Sequence, residues 1–127
     1  VVSVHLRILL VDDEVFVLNS LRRLLGREEF AVQTAASGRE GLALLEKETF
    51  DLVLSDYKMP SMNGIEFLTE VARRWPATVR AMLTAQADED LLAKSLASGV
   101  LARAFTKPWD NRELVEGLQQ VAAGKPA

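Results

Sequence analysis

Two apolar runs, each closed by acids, stand out along the chain. Leu6-Arg7-Ile8-Leu9-Leu10-Val11 runs into Asp12-Asp13-Glu14, and Leu52-Val53-Leu54-Ser55 runs into Asp56, with Pro60 four residues later. Apolar runs without polar alternation predict strands buried on both faces, as inside a parallel sheet. Pro60 forbids the second of them to continue. Elsewhere the period turns helical. Val17, Leu18, Leu21, Leu24 and Leu25 make one apolar face, with Gly26 as its stop. A short strand over 30–35 follows, and Ser37 with Glu40 predicts a capping box opening a helix that carries Leu42, Leu44 and Leu45.

Past Asp56, residues 59–64 read as a turn-rich loop. Ile65, Leu68, Val71, Ala72 and Trp75 then recur at helical spacing until Pro76. Residues 79–83 predict a fourth strand closing on Thr84-Ala85, and 88–98 a helix with Gly99 as its C′ residue. Residues 101–106 predict a fifth strand, and the last helix, from about Asp110, buries Leu114, Val115, Leu118, Val121 and Ala122. Strand followed by helix, five times over, predicts an α/β fold: right-handed crossovers, a doubly wound parallel sheet and helices on both faces.

Such a sheet binds ligands at the carboxyl ends of its strands. Those ends carry Asp12 and Asp13 after the first strand, Asp56 after the third, Thr84 after the fourth and Lys107 after the fifth. Helix periodicity accounts for none of them. Carboxylates sharing one rim repel, each close pair by roughly 4 kcal/mol at about 4 Å with an effective dielectric near 20. A cation among them, or a proton kept on one, relieves the repulsion. Mg²⁺ suits such a site, taking one or two carboxylates and leaving positions for phosphate oxygens. A carboxylate oxygen of Asp56 can then attack phosphorus to form a mixed anhydride, with Mg²⁺ held by Asp13 and Asp56. Lys107 offers a point charge to a phosphate oxygen. Thr84 offers a hydroxyl donor, and the small Ala85 leaves room for the donor of the phosphoryl group.

Totals narrow the setting. With 127 residues, 49% of them apolar and 26% charged, the chain is one domain of ordinary globular composition. A net charge of −3 with no basic stripe argues against direct nucleic-acid binding. The absence of cysteine excludes disulfides and thiolate metal sites. No apolar run reaches bilayer length, and no signal peptide is seen, so no membrane partner is expected and the cytoplasm is the default compartment. Gly124-Lys125-Pro126-Ala127 reads as a linker-like tail. The domain is expected over 6–122, with 123–127 the start of a linker in a longer protein.

The motifs Leu10-Val11-Asp12-Asp13-Glu14, Asp56 with Met59-Pro60 and Met62-Asn63-Gly64, Thr84-Ala85, and Lys107-Pro108 resemble those of the receiver domain of two-component response regulators, over about 6–122. The resemblance implies a flavodoxin-like sheet of five parallel strands in the order 2-1-3-4-5. It implies that Asp56 is the phosphoacceptor, charged by a sensor histidine kinase or a phosphotransfer protein. Asp13, Asp56 and the backbone carbonyl of Lys58 would ligate Mg²⁺ directly, and Asp12 through water. Thr84 would be the switch hydroxyl and Lys107 the phosphate-binding lysine. The domain would be no enzyme in its own right, though it assists its own phosphorylation and dephosphorylation. An output domain in the parent chain and a homodimer through the last two helices and last strand are also implied.

Ala104 departs from the pattern, since the family usually carries Tyr or Phe three residues before the lysine. Phe105, next along the strand, faces the other way, so phosphorylation is expected to register as backbone shifts near Thr84 and the fourth helix. Lys58 and Gln86 are expected beside the phosphate, where they would set its lifetime. Lys107-Pro108-Trp109-Asp110 looks like receivers fused to cyclic-dinucleotide hydrolases or ATPase-type transcription activators, with Trp109 itself a packing residue. His5, the one histidine, reads as a surface residue. Two alternatives remain: a pseudo-receiver that binds partners without taking phosphate, and a phosphohydrolase of the haloacid dehalogenase type. Lys58 argues against the latter, which usually places a second acid at that position.

Overall fold

The computed structural model describes residues 5–85 and 88–123. Strands and helices alternate throughout: β1 (Leu6–Val11), α1 (Val15–Gly26), β2 (Phe30–Ala35), α2 (Gly38–Lys47), β3 (Leu52–Ser55), α3 (Gly64–Arg74), β4 (Val79–Thr84), α4 (Glu89–Ala97), β5 (Arg103–Thr106) and α5 (Asn111–Ala123). The five strands are parallel in the order β2-β1-β3-β4-β5, the flavodoxin-like arrangement expected. The order of the central pair reverses between β1 and β3, which are paired with Val11 opposite Ser55. That register sets Asp12 and Asp56 side by side as the two strands end.

Two apolar clusters sandwich the sheet. Ile8, Leu10, Leu52, Leu54, Ala81 and Leu83 meet α1 and α5 on one face. Leu9, Val11, Val53 and Met82 meet α2 and α3 on the other. Both faces of β1 and β3 are therefore apolar, which is why their sequences lack alternation.

Several local details differ from the periodicity reading. In α3 the largest buried side chain is Phe67, absent from the expected face, while Ile65, Ala72 and Trp75 are only half-buried. In α2 the buried positions are Gly38, Gly41 and Leu45, with Leu42 and Leu44 half-buried. Ser37 caps α2 by accepting from the Glu40 amide, but the Glu40 carboxylate reaches the amide of Ala36 at 3.4 Å, so the box is displaced by one residue. Asn63 and Glu66 instead form a reciprocal capping box on α3. Gly99, at φ +84°, closes α4 as expected.

The fifth strand begins at Arg103, two residues late. Leu101 N–H bonds the Ser95 carbonyl instead of a neighbouring strand. The Arg80 guanidinium ties this turn to the one before β4, donating to the carbonyls of Gly99 and Val100 and to those of Pro76 and Thr78. Burial lowers the pKa of Arg80 from the ordinary arginine value.

Candidate functional site

All five polar residues expected at strand exits line one rim. Asp12 and Asp13 follow β1, Asp56 follows β3, Thr84 ends β4 and Lys107 follows β5. One carboxylate oxygen each from Asp12, Asp13 and Asp56 lies within 4.8 Å of the others. Asp12 and Asp56 are buried and Asp13 is exposed. Lys107, distant by 95 residues, places Nζ 2.8 Å from Asp12 Oδ2 and 3.4 Å from Asp56 Oδ2. The lysine thus pairs first with Asp12 and second with Asp56.

Backbone amides fix the two buried carboxylates. Tyr57 N–H donates to Asp56 Oδ1 at 2.8 Å, and Glu14 N–H donates to Asp12 Oδ1 at 2.9 Å. The backbone is equally tied: Asp56 N–H bonds the Val11 carbonyl, and Lys107 N–H bonds that of Thr84. Gly64 N–H bonds the Tyr57 carbonyl, which draws α3 hard against the β3 exit. A Cβ at Gly64 would lie 2.1 Å from the Asp56 carbonyl oxygen, so only glycine fits there. The Asn63-Gly64 pair is thus a cap followed by a point of backbone contact, a three-dimensional reason that its sequence context does not disclose.

Burial and the charge of Asp12 raise the Asp56 pKa above its ordinary value, against the opposing pull of Lys107 and the Tyr57 amide. For Lys107, burial works downward, yet the hydrogen bond to Asp12 and the charges of Asp12 and Asp56 outweigh it and hold the pKa above the ordinary lysine value. One ammonium therefore pairs with two of the three acids and leaves Asp13 to the solvent side. The remaining deficit, the all-oxygen donor set and the exposed third carboxylate fit a hard divalent cation such as Mg²⁺.

The rim opens into a cavity of about 560 Å³ lined by Asp13, Glu14, Asp56, Lys58, Met59, Pro60, Thr84, Ala85 and Lys107. Lys58, expected to offer its carbonyl to the cation, lies on this wall with its side chain exposed. Glu14 lines it too, and sequence reasoning gave that residue no task of its own. Gln86 lies outside the described residues. Ala104 pairs with Met82, two residues from Thr84 and so on the same face. Phe105 pairs with Leu83 and is buried among Leu114, Val115 and Leu118 on the opposite face, so it does not stand in beside Thr84. Trp109 packs against that same cluster, with Nε1 donating to Asn111 Oδ1, and His5 is exposed.

Comparison with known proteins agrees with this geometry. The family model for the response regulator receiver domain matches residues 8–119. The hydrogenase transcriptional regulatory protein HoxA of Cupriavidus necator is 39% identical over 114 residues, covering 89% of this chain and 23% of HoxA. A CheY-like receiver domain from Methanospirillum hungatei superimposes with a TM-score of 0.90 at 34% identity, covering 95% of this chain and 96% of that one. The response regulator TrrA of Thermotoga maritima, solved with Mg²⁺ and BeF, gives a TM-score of 0.81 at 28% identity, covering 91% and 98%. The chain spans about a quarter of the length of the first curated relatives it matches, 23% to 25%. Among the described residues, no helix is long and apolar enough to cross a membrane. The chain belongs to the response regulator receiver domains of two-component systems.

Proposed function

We propose that the domain is a phosphorylation-driven switch that accepts a phosphoryl group on Asp56 from a phosphohistidine of a sensor kinase or phosphotransfer protein. The observation that carries this reading is the Lys107 ammonium, 2.8 Å from Asp12 and 3.4 Å from Asp56, beside a crowded acid trio at the floor of an open cavity. A carboxylate oxygen of Asp56 attacks phosphorus, the bond from phosphorus to the imidazole nitrogen breaks, and the imidazole leaves. The Tyr57 amide holds the carboxylate in one orientation for that attack. Asp13, Asp56 and the Lys58 carbonyl would hold Mg²⁺, with Asp12 acting through water. When bound, the ion neutralises charge on the transferring group. Lys107 is already within reach of Asp56 and moves its charge onto the new phosphate oxygens. Thr84, on the neighbouring exit, supplies a hydroxyl to the same group.

The aspartyl phosphate can shift the fold only through contacts that differ between two states. The element suited to respond is α4, where Ser95 is the one buried residue of the helix and Leu96 is 40% exposed. With Ala104 in place of an aromatic ring, the response passes through the backbone around Thr84 and α4. Exposed apolar side chains at Val15 and Phe16, the latter 88% exposed and two residues after the cavity-lining Glu14, suit docking of the phosphodonor. The relatives' greater length supports an output domain in the parent protein, and the α4-β5-α5 face is proposed for homodimerisation.

Incubation with Mg²⁺ and a small phosphodonor tests the reading. One phosphate per chain, absent without the ion, is expected. No phosphate would make the domain a pseudo-receiver, and repeated turnover of phosphate esters would make it a hydrolase.

A further inference from the structure

Among the described residues, four of the five helices are capped by a side chain at the N-terminus. Ser37 caps α2, Asn63 caps α3 and Asp88 caps α4, each accepting from a first-turn amide, and Asp110 accepts from the Glu113 amide at the start of α5. The exception is α1. Its N-cap is Glu14, whose side chain makes no cap hydrogen bond. Glutamate is a poor choice there, because Ser, Thr, Asp or Asn satisfies an orphan amide that Glu14 leaves to solvent. Among the described residues, the Glu14 carboxylate enters no hydrogen bond or ion pair, although its own amide is held by Asp12. It lines the same cavity as Asp56 and the exposed Lys58. A position that gives up helix stability at the mouth of a site answers to the site.

We propose that Glu14 sets donor specificity: its carboxylate at the cavity mouth disfavours small dianionic phosphodonors relative to donors whose leaving group carries a positive charge. This rests on the phosphoacceptor reading of Asp56. The cavity wall, together with Asp12 paired to Lys107, holds four acids and two lysines, so with a divalent cation bound Glu14 cancels the net positive charge an entering anion would otherwise meet, taking it from +1 to 0. Acetyl phosphate enters with two negative charges. Asp56 oxygen bonds to its phosphorus, the bond to the acetyl oxygen breaks, and acetate departs. Phosphoramidate at neutral pH carries a protonated nitrogen and one net negative charge. The same attack breaks its phosphorus–nitrogen bond, and ammonia departs with the proton already on nitrogen. Phosphohistidine resembles the second case whenever its imidazole is protonated. Repulsion scales with donor charge, so Glu14 penalises acetyl phosphate more.

Rates of phosphorylation by the two donors, measured in Mg²⁺ at low ionic strength, test this in two variants. Glu14→Gln removes the charge at constant shape. It is expected to speed acetyl phosphate about fivefold and phosphoramidate about twofold, since Coulomb energy is linear in donor charge. Raising the salt should shrink that difference. Glu14→Ser removes the charge and restores a cap, so it should shift the donor ratio equally and raise the unfolding midpoint by a few degrees. Removing a negative charge also weakens the hold on a divalent cation, so both rates are measured at saturating Mg²⁺, checked by thermal stabilisation, where ion affinity drops out of the donor ratio. An unchanged donor ratio in both variants overturns the proposal. Both rates falling together at saturating Mg²⁺ also overturns it, placing Glu14 in the cation site. Wild-type protein that takes phosphate from neither donor overturns the phosphoacceptor reading itself, and this inference with it.

Discussion

Lys107→Met removes the ammonium shared by Asp12 and Asp56, and its cost can be worked from two distances. At 2.8 Å and 3.4 Å, with an effective dielectric near 20, the gross attractions are about 6 and about 5 kcal/mol. The side chains involved are only 4–13% exposed, so solvent screening is slight. Desolvation of the lysine offsets much of this sum, and breaking a buried pair costs a net ~3–5 kcal/mol. Both carboxylates keep their bonds from the Glu14 and Tyr57 amides, which points to the lower end, about 3 kcal/mol. Urea unfolding in the presence of a chelator at neutral pH measures the loss. Without the lysine the carboxylates bind protons more readily, so the variant should regain stability as pH falls toward the carboxylate range. Saturating Mg²⁺ should restore most of the deficit at neutral pH, by supplying the missing positive charge. A variant within about 0.5 kcal/mol of wild type, or a loss indifferent to both pH and Mg²⁺, would refute this account of the site's electrostatics.

Asp56→Asn should stabilise the ion-free protein at neutral pH, since the folded pKa of Asp56 is raised by burial and by Asp12. The sign follows from linkage: a raised folded pKa contributes stability below the ordinary value of 3.8 that is lost as pH rises through the folded value. The variant's advantage should therefore be small in acid and grow toward neutrality in parallel unfolding curves. Gly64→Ala should cost about 2–3 kcal/mol in chemical unfolding, because its Cβ would meet the Asp56 carbonyl at 2.1 Å. It should also slow phosphorylation by displacing the acceptor. Saturation with Mg²⁺ at 100 times its dissociation constant should stabilise the wild type by about 2.7 kcal/mol. Asp13→Ala should abolish that gain in a thermal-shift titration.

The legible parts of this chain are those where one physical demand acts on a run of neighbours. The doubly buried strands β1 and β3 show as unbroken apolar stretches, and the acids terminating them have no helical role to disguise them. The dominant burial of Phe67 was hidden because its side chain packs against Gly38 and Gly41 of α2, glycines whose added Cβ atoms would touch it. The late start of β5 depends on Arg80, a residue of another strand, gathering the carbonyls of the preceding turn. Gly64 is set by a contact between the start of α3 and the chain after β3, eight residues back, and Glu14 by a cavity whose other walls come from three further segments. Local pattern reports local demands, and these residues answer to distant ones.

The most direct test of the central claim is a crystal structure of the domain with Mg²⁺ and beryllofluoride. The account predicts beryllofluoride on a carboxylate oxygen of Asp56, Lys107 and Thr84 against its fluorines, and the ion held by Asp13, Asp56 and the Lys58 carbonyl. Beryllofluoride bound elsewhere, or Mg²⁺ away from the acid trio with Lys107 still on Asp12, would contradict it.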